Sequence, residues 1–224
     1  MFLFIFHFHS NFPIEKKHQT SMRKMSHIAW DQLTNTFTFD SYKSFVHDLV
    51  AQRKTSGPDQ REDLIHYTEL NARRMKRIEK TTILSEELKH QLARIQEPMT
   101  WVLISEAWCG DAAQIVPVLG IMAQQNTNID LKIILRDEHL DIMDQYLTNG
   151  GRSIPKLICL DAEHQELFVW GPRPASIQQV VNDTKAEGIT DHAVLVERIQ
   201  YAYNEDHTLS IQQEISELLA QLNK

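Results

Sequence analysis

The residues best suited to covalent chemistry in this 224-residue sequence are its two cysteines, Cys109 and Cys159. Cys109 stands in the segment Trp108-Cys109-Gly110-Asp111, at the point where a short apolar strand gives way to a predicted helix. The unpaired amides and the dipole of a helix N-terminus stabilise a thiolate, which is the nucleophilic form of cysteine. We therefore expect Cys109 to be the chemical centre, in a position that favours its thiolate.

Other kinds of chemical site find no support in the sequence. Eleven histidines are scattered along the chain, and no set of cysteines and histidines has the spacing of a metal site. No glycine-rich phosphate loop occurs. A hydrolytic pair of Cys109 with His139 or His164 has no support from the spacing either. We expect neither a metal nor a bound cofactor.

The hydrophobic pattern predicts four strands, at residues 100–105, 129–135, 156–160 and 166–170, the last two joined as a hairpin. Helices are predicted over residues 40–54, 60–80, 85–95, 112–124, 140–147, 176–184, 193–204 and 209–222. Asp40 and Ser85 are the expected N-caps of the first and third helices, and Pro117 is expected to interrupt the fourth. Alternating strands and helices predict an α/β protein whose mixed four-stranded sheet has a parallel part, because crossover helices lie on the faces of such a sheet.

Charge is distributed in a way that excludes some partners. The formal net charge is -7, and no stripe of lysines and arginines is present, so we do not expect nucleic acid as a partner. The second predicted helix carries a cationic face, which we interpret as solvated rather than as a binding patch. This face is formed by Arg73, Arg74, Lys76 and Arg77. Two cysteines fit a reducing compartment, which favours a cytoplasmic protein.

Residues 1–27 begin with an apolar run too short to span a bilayer, followed by a polar and basic stretch. We expect a disordered tail or a misplaced start, with Met22 or Met25 as the true beginning. A signal or anchor is the weaker alternative, and no membrane partner is expected.

These features together resemble the thioredoxin superfamily, whose members carry Trp-Cys-Gly-Pro-Cys, a helix-kinking proline, a cis-proline before the third core strand and a glycine after the last strand. The residues that match in order and spacing are Trp108, Cys109, Gly110, Pro117, Ile154-Pro155 and Gly171. Residues 108–112, 135–138, 142–158 and 170–174 are also similar to bacterial thioredoxin family proteins with a WCGDA motif and a helical N-terminal extension. The resemblance implies a thioredoxin-like domain at residues 98–188, between a helical extension at 28–97 and C-terminal helices at 189–224.

The sequence departs from this family at the second cysteine of the motif, which is replaced by Ala112. Cys159 lies four residues beyond Pro155 along a predicted strand, on the order of 13 Å from the site. A disulfide needs Cα atoms within roughly 7 Å, so we interpret Cys159 as a buried core residue. Cys109 is therefore expected to act as a monothiol, forming mixed disulfides that an outside thiol resolves.

Three arginines are expected at the carboxyl ends of the strands, where this fold places its site. They are Arg136, Arg152 and Arg173. They either lower the pKa of Cys109 or hold an anionic group such as a carboxylate of glutathione, a candidate co-substrate. Alternatively, they form a structural ion-pair network with carboxylates, and the sequence leaves both readings open. The candidate carboxylates are Glu106, Asp111, Asp137 and Glu138, of which Asp111 also opposes a thiolate by charge repulsion.

Two further residues have double interpretations. The resemblance implies that a cis Pro155 exposes the backbone of Ile154 beside the thiol, where a substrate peptide can pair by β-augmentation. Trp108 either offers an apolar platform for a ligand or belongs to the core.

Three functions follow from these observations. The first is a thiol–disulfide oxidoreductase that uses Cys109 as a single nucleophile, with protein or small-molecule thiols and disulfides as partners. The second is a non-catalytic binding module that recognises a peptide or partner beside the cis-proline. The third and weakest is a redox sensor in which Cys109 is oxidised to a sulfenic acid.

Overall fold

The computed structural model describes residues 28–222, and the expectation for residues 1–27 lies outside them. The helices are α1 (Phe39–Ala51), α2 (Glu62–Thr81), α3 (Glu86–Ala93), α4 (Gly110–Ala123), α5 (Leu140–Met143), α6 (Ala175–Ala186), α7 (His192–Asp206) and α8 (Leu209–Leu222). The strands are β1 (Met99–Ser105), β2 (Ile129–Leu135), β3 (Lys156–Leu160) and β4 (Glu166–Trp170). Within residues 28–222, none of the helices has the length and apolar character needed to cross a membrane.

The four strands form one mixed sheet in the order β2-β1-β3-β4. Strand β1 runs parallel to β2, with Met99 opposite Ile129 and Ser105 opposite Leu135. It runs antiparallel to β3, which in turn pairs antiparallel with β4. Helices cover the sheet, and the interior strands are therefore continuous apolar runs rather than alternating ones. The predicted α/β fold with a mixed four-stranded sheet is confirmed.

Helix α4 is buried along nearly its whole length, since it packs on the sheet and α2 packs against it from outside. A helix that is hydrophobic all round requires such burial. Pro117 lies inside this helix, as the resemblance implies, but the expected interruption does not occur, because α4 continues from Gly110 to Ala123. Packing on both sides outweighs the single backbone hydrogen bond that a proline removes.

Two phenylalanines anchor the start of α1, one to the sheet and the other to α4. Phe37 pairs with Ile133 at the outer edge of β2, and the ring of Phe39 lies where a Cβ on Gly120 of α4 would stand. Since Phe39 belongs to the core, α1 begins before Asp40, and its N-cap is Thr38, whose Oγ1 accepts from the Ser41 amide at 3.2 Å. The predicted Asp40 cap is wrong by two residues.

The prediction of Ser85 as the cap of α3 is confirmed, because its Oγ accepts from the Leu88 amide at 3.3 Å. The predicted helix over residues 140–147 is shorter than expected, since α5 ends at Met143. Beyond it the amides of Gln145 and Tyr146 bond carbonyls only three residues back, which tightens the chain into a turn. This turn brings the chain to the segment that precedes β3.

The C-terminal helices return to the start of α4. Helix α7 packs on α6, and α8 packs on α3. Gln200 of α7 accepts a hydrogen bond from Gln114 of α4 at 2.8 Å. Helix α2, which precedes the sheet in the chain, and helix α7, which follows it, therefore both lie beside the N-terminus of α4.

Candidate functional site

Cys109 occupies the N-cap of α4, directly after the carboxyl end of β1. Its thiol donates a hydrogen bond to the carbonyl oxygen of Ile154, with 3.4 Å between Sγ and O. The peptide bond between Ile154 and Pro155 is cis. The residue is 7% exposed, so only a small part of the sulfur's surroundings is open. The structure thus brings Cys109, Ile154 and Pro155 together.

Gly171 supports this arrangement from the end of β4. Its φ is +108°, a backbone conformation that side-chain-bearing residues rarely adopt. A Cβ built on Gly171 would stand 2.5 Å from the Pro155 carbonyl oxygen. Only a glycine therefore fits at this position, and it allows the turn after β4 to pack against the proline. The next bond, Gly171–Pro172, is also cis, which the sequence analysis missed.

The thiol of Cys109 is held in its protonated form. Burial, followed by the charge of Asp111, raises the pKa of Cys109 to about 12. The backbone amides of Ala112 and Asp111 and the charge of Arg173 act in the opposite direction but are outweighed. The expectation that the helix N-terminus favours the thiolate is thus corrected: the amides do stabilise it, but the loss of water around the sulfur is the larger effect.

Asp111 is fixed beside Cys109 by residues from two other elements. The Arg173 guanidinium forms two contacts with this carboxylate, at 3.0 Å from Nε to Oδ1 and 2.7 Å from Nη2 to Oδ2. The hydroxyl of Tyr203, on α7, donates to Oδ1 at 3.0 Å. Burial raises the pKa of Asp111, and the charge of Arg173 and these hydrogen bonds act against the rise. Arg173 is therefore engaged by Asp111 rather than free to bind a ligand.

The other two predicted arginines are also paired with carboxylates. Arg152 forms a bidentate contact with Asp144, at 2.6 and 2.8 Å. Arg136 donates to Asp137 at 2.8 Å, and its guanidinium lies 4.7 Å from the centre of the Trp108 ring. The structure thus matches the ion-pair reading, with Asp144 as a partner that the sequence analysis did not consider.

The loop between β1 and Cys109 is held by buried hydrogen bonds. Glu106 is fully buried, accepts from the Asp137 amide at 2.9 Å and pairs with the hydroxyl of Ser56. Ser56 in turn accepts from the Ala107 amide at 2.8 Å. Burial raises the pKa of Glu106, with its hydrogen bonds acting in the opposite direction. Glu106 is therefore an anchor of the loop and not an ion-pair partner of the arginines.

A cleft of about 440 Å³ opens above Cys109, between α2 and α7. Cys109, Trp108 and Ile154 contribute to its lining from the sheet side. Five arginines and only two aspartates line it, although the whole chain is negatively charged. The arginines are Arg61, Arg74, Arg136, Arg152 and Arg173. Trp108 is half-buried, lines this cleft and packs against the core.

Two of these arginines escaped the sequence analysis, because they come from the N-terminal helices and not from the strand ends. Arg74 was interpreted as part of a solvated face of α2, but it is half-buried and lines the cleft. The available signal was Asn71, three residues earlier, a polar residue that helical spacing places on the same face of α2 as Met75 and Ile78, which the structure shows to be buried. Tyr203 and Gln200 were missed because they lie on α7, after the last strand, and not at a strand end.

Cys159 is excluded as a partner of Cys109. It lies in β3 opposite Trp101, is fully buried, and its Sγ lies 3.8 Å from the sulfur of Met99. Both cysteines are free thiols. In the part of the chain that the structure describes, no group of three or more histidine, cysteine, aspartate and glutamate side chains is placed to hold a metal ion.

Comparison with known proteins gives a family for this architecture. A family model described as thioredoxin matches residues 57–187, which is more than half of the chain. A comparison with curated proteins found none that matches this chain. Similar solved structures include a protein of unknown function from Pseudomonas aeruginosa, at 21% identity and a TM-score of 0.46, which covers 70% of this chain and 88% of its own. A domain of the alkylhydroperoxide reductase AhpF from Enterococcus faecalis follows at 18% identity and a TM-score of 0.35, covering 43% and 46%. Both structures are too distant from this chain to indicate its activity.

Proposed function

The chain belongs to the thioredoxin family, and on this basis we propose that it exchanges thiols with disulfides through Cys109 acting as a single thiol. The observation that carries the proposal is the position of the Cys109 sulfur. It lies at the N-terminus of a 14-residue helix, where the backbone amides of Asp111 and Ala112 act to lower the pKa of the thiol, and it lines a cleft next to cis Pro155.

The exchange has two balanced steps. The Cys109 thiolate attacks one sulfur of a bound disulfide, a sulfur–sulfur bond forms, and the other half leaves as a thiolate that takes up a proton. An outside thiol then attacks the substrate sulfur of the mixed disulfide. Cys109 leaves as a free thiol, and the substrate half and the outside thiol are joined in a new disulfide. Ala112 at the second motif position and the buried Cys159 leave the outside thiol as the only resolving group in this scheme.

The raised pKa of Cys109 makes this thiol slow toward reagents that do not bind the cleft. An ordinary cysteine has a pKa of about 8.5, and each unit of increase lowers the observed exchange rate at neutral pH by roughly 3.5-fold, since the rarer thiolate is also the stronger nucleophile. A pKa of about 12 then implies a rate on the order of a hundredfold lower than that of a free cysteine.

Binding in the cleft compensates for this slow intrinsic reactivity. Holding a disulfide next to a nucleophile raises its effective concentration by many orders of magnitude. The proposal is therefore one of recognition followed by exchange: Cys109 stays protonated against the Ile154 carbonyl until a ligand that fits the cleft is held beside it. Dependence on an outside thiol fits a reducing compartment such as the cytoplasm, which belongs to the same proposal.

A second candidate function is binding without exchange, and the burial of the sulfur favours it. The thiol hydrogen bond occupies the Ile154 carbonyl, so the ligand of this function is not a peptide that pairs with Ile154 by β-augmentation. Under this alternative Cys109 is a structural donor that closes the floor of the cleft, and a ligand contacts the arginines above it.

Mass spectrometry after incubation with glutathione disulfide separates the two functions. We expect one mixed disulfide on the unaltered chain and on Cys159→Ser, none on Cys109→Ser, and loss of the adduct when reduced glutathione is added. The Cys159→Ser chain is the matched control, since that thiol is buried in β3. Absence of the adduct on the folded chain, even at alkaline pH, would favour binding without exchange.

A further inference from the structure

Arg74 differs from the other arginines of the cleft because no carboxylate neutralises it. Arg61 pairs with Asp59, and the three strand-end arginines pair with Asp111, Asp137 and Asp144. Among the described residues, Arg74 forms no ion pair, and it donates a hydrogen bond to the neutral side chain of Asn71. The cleft therefore contains one guanidinium whose charge is available to a ligand.

The guanidinium of Arg74 is held in place rather than free to swing into solvent. Its Nη1 donates to Oδ1 of Asn71 at 2.9 Å, and Nδ2 of Asn71 donates to the Ala107 carbonyl at 2.9 Å. Because Asn71 is fully buried and its amide already donates to a backbone carbonyl, its oxygen is fixed as the acceptor for Arg74. This chain of bonds ties α2 to the loop that carries Cys109.

The position of Arg74 places its charge at the start of α4. A Cβ built on Gly110 would lie 3.7 Å from Nη1 of Arg74, and Gly110 directly follows Cys109. Burial lowers the pKa of Arg74, and the charge of Arg77 acts in the same direction. A partly desolvated cation without a counter-charge is unfavourable, and an anion bound in the cleft would relieve that cost.

We propose that Arg74 binds a carboxylate of the ligand that the cleft holds beside Cys109, so that the substrates are small disulfides and thiols that carry carboxylates. This inference rests on the proposed function for its chemistry and names the substrate class. The cleft volume of about 440 Å³ suits a small molecule. Arginine is the residue best suited to bind a carboxylate through two parallel hydrogen bonds, and the adjacent N-terminus of α4 adds a favourable dipole.

Exchange rates with two disulfides test the inference. Glutathione disulfide carries carboxylates, and hydroxyethyl disulfide is neutral. We expect Arg74→Met to slow mixed-disulfide formation with glutathione disulfide by roughly tenfold to a hundredfold, the usual effect of losing a charge-assisted hydrogen bond. The rate with hydroxyethyl disulfide should change by less than about twofold. Arg74→Lys should retain part of the rate with the anionic disulfide.

The matched control is Arg73→Met, which removes the same charge from an exposed neighbour on α2 and should leave both rates unchanged. If Arg74→Met slows both disulfides equally, or slows neither, the inference is overturned. The neutral disulfide also reports whether the variant is folded and Cys109 accessible.

Binding of S-methylglutathione distinguishes failure of this inference from failure of the proposed function. This thioether keeps the carboxylates but cannot exchange, so titration calorimetry on the unaltered chain measures recognition alone. We expect binding that Arg74→Met weakens by about tenfold or more and Arg73→Met leaves unchanged. Arg74-dependent binding without any exchange would retain the inference and reject the redox function. If the chain exchanges with glutathione disulfide but binds S-methylglutathione equally well with and without Arg74, the redox function is retained and the inference about Arg74 is rejected.

Discussion

Replacing Asp111 by asparagine isolates the charge that acts on the Cys109 thiol. The carboxylate of Asp111 is the second cause of the raised pKa of Cys109, after burial. Asparagine keeps nearly the same shape and an acceptor for Tyr203, but it removes the negative charge and leaves Arg173 unneutralised. Both effects favour the thiolate, so the pKa of Cys109 should fall.

The size of the effect follows from the geometry. Asp111 lies two residues after Cys109, and a like charge this near a buried group shifts its pKa by roughly one to two units. Neutral pH lies below the pKa of Cys109 in both chains, so the thiolate fraction rises about tenfold for each unit by which this pKa falls. A thiolate of lower pKa is also a weaker nucleophile, so the rate rises by less than the thiolate fraction does. The net increase in the alkylation rate at pH 7 should be about 3- to 12-fold.

Iodoacetamide alkylation measured across alkaline pH gives the pKa directly. In the unaltered chain the rate should rise about tenfold per pH unit, with no plateau below about pH 11, because the pKa lies near 12. In Asp111→Asn the plateau should begin at lower pH. Asp137→Asn is the control, because it also frees an arginine of the cleft from its carboxylate but does not act on Cys109. An unchanged or higher pKa in Asp111→Asn would refute the electrostatic reasoning.

Two stability predictions concern the residues that hold the site. Gly171→Ala should lower the free energy of unfolding by about 2–4 kcal/mol, because its φ is positive and the new Cβ would meet the Pro155 carbonyl. Gly188→Ala is the matched control. It should cost only about 1 kcal/mol, since its φ is also positive, at +76°, but nothing lies within 4 Å of the new Cβ. Urea unfolding of both variants checks this, and equal losses would contradict it. Ser56→Ala should cost about 1–3 kcal/mol in the same assay, because it removes a donor to the buried Glu106 carboxylate, and a loss below about 0.5 kcal/mol would show that this bond does not anchor the loop.

The core of the fold is readable in the sequence because its signals are local. The predicted bounds of β2, β3 and β4 agree with the structure, since each is a short apolar run ended by polar or turn residues. The position of Cys109 at a helix N-terminus follows from the same pattern. The length of α5 was not predictable, because residues 140–147 have a helical pattern but the chain must turn early to reach Pro155.

The environment of the thiol was not predictable, because it depends on elements far away in the sequence. Cys109 is 7% exposed and belongs to a core to which helices outside the sheet also contribute, and neither periodicity nor motif reports this burial. Likewise Arg74 has a polar position on α2, and the sequence does not show that α7, more than a hundred residues later, would form the opposite wall of the cleft.

Isotope exchange between labelled reduced glutathione and unlabelled glutathione disulfide is the measurement that tests the central claim most directly. Each turnover requires Cys109 to form a mixed disulfide and an outside thiol to release it, so a single thiol suffices. We predict label transfer that rises in proportion to the concentration of the chain and falls to the uncatalysed rate in Cys109→Ser. Transfer that is the same with and without the Cys109 sulfur would contradict the account.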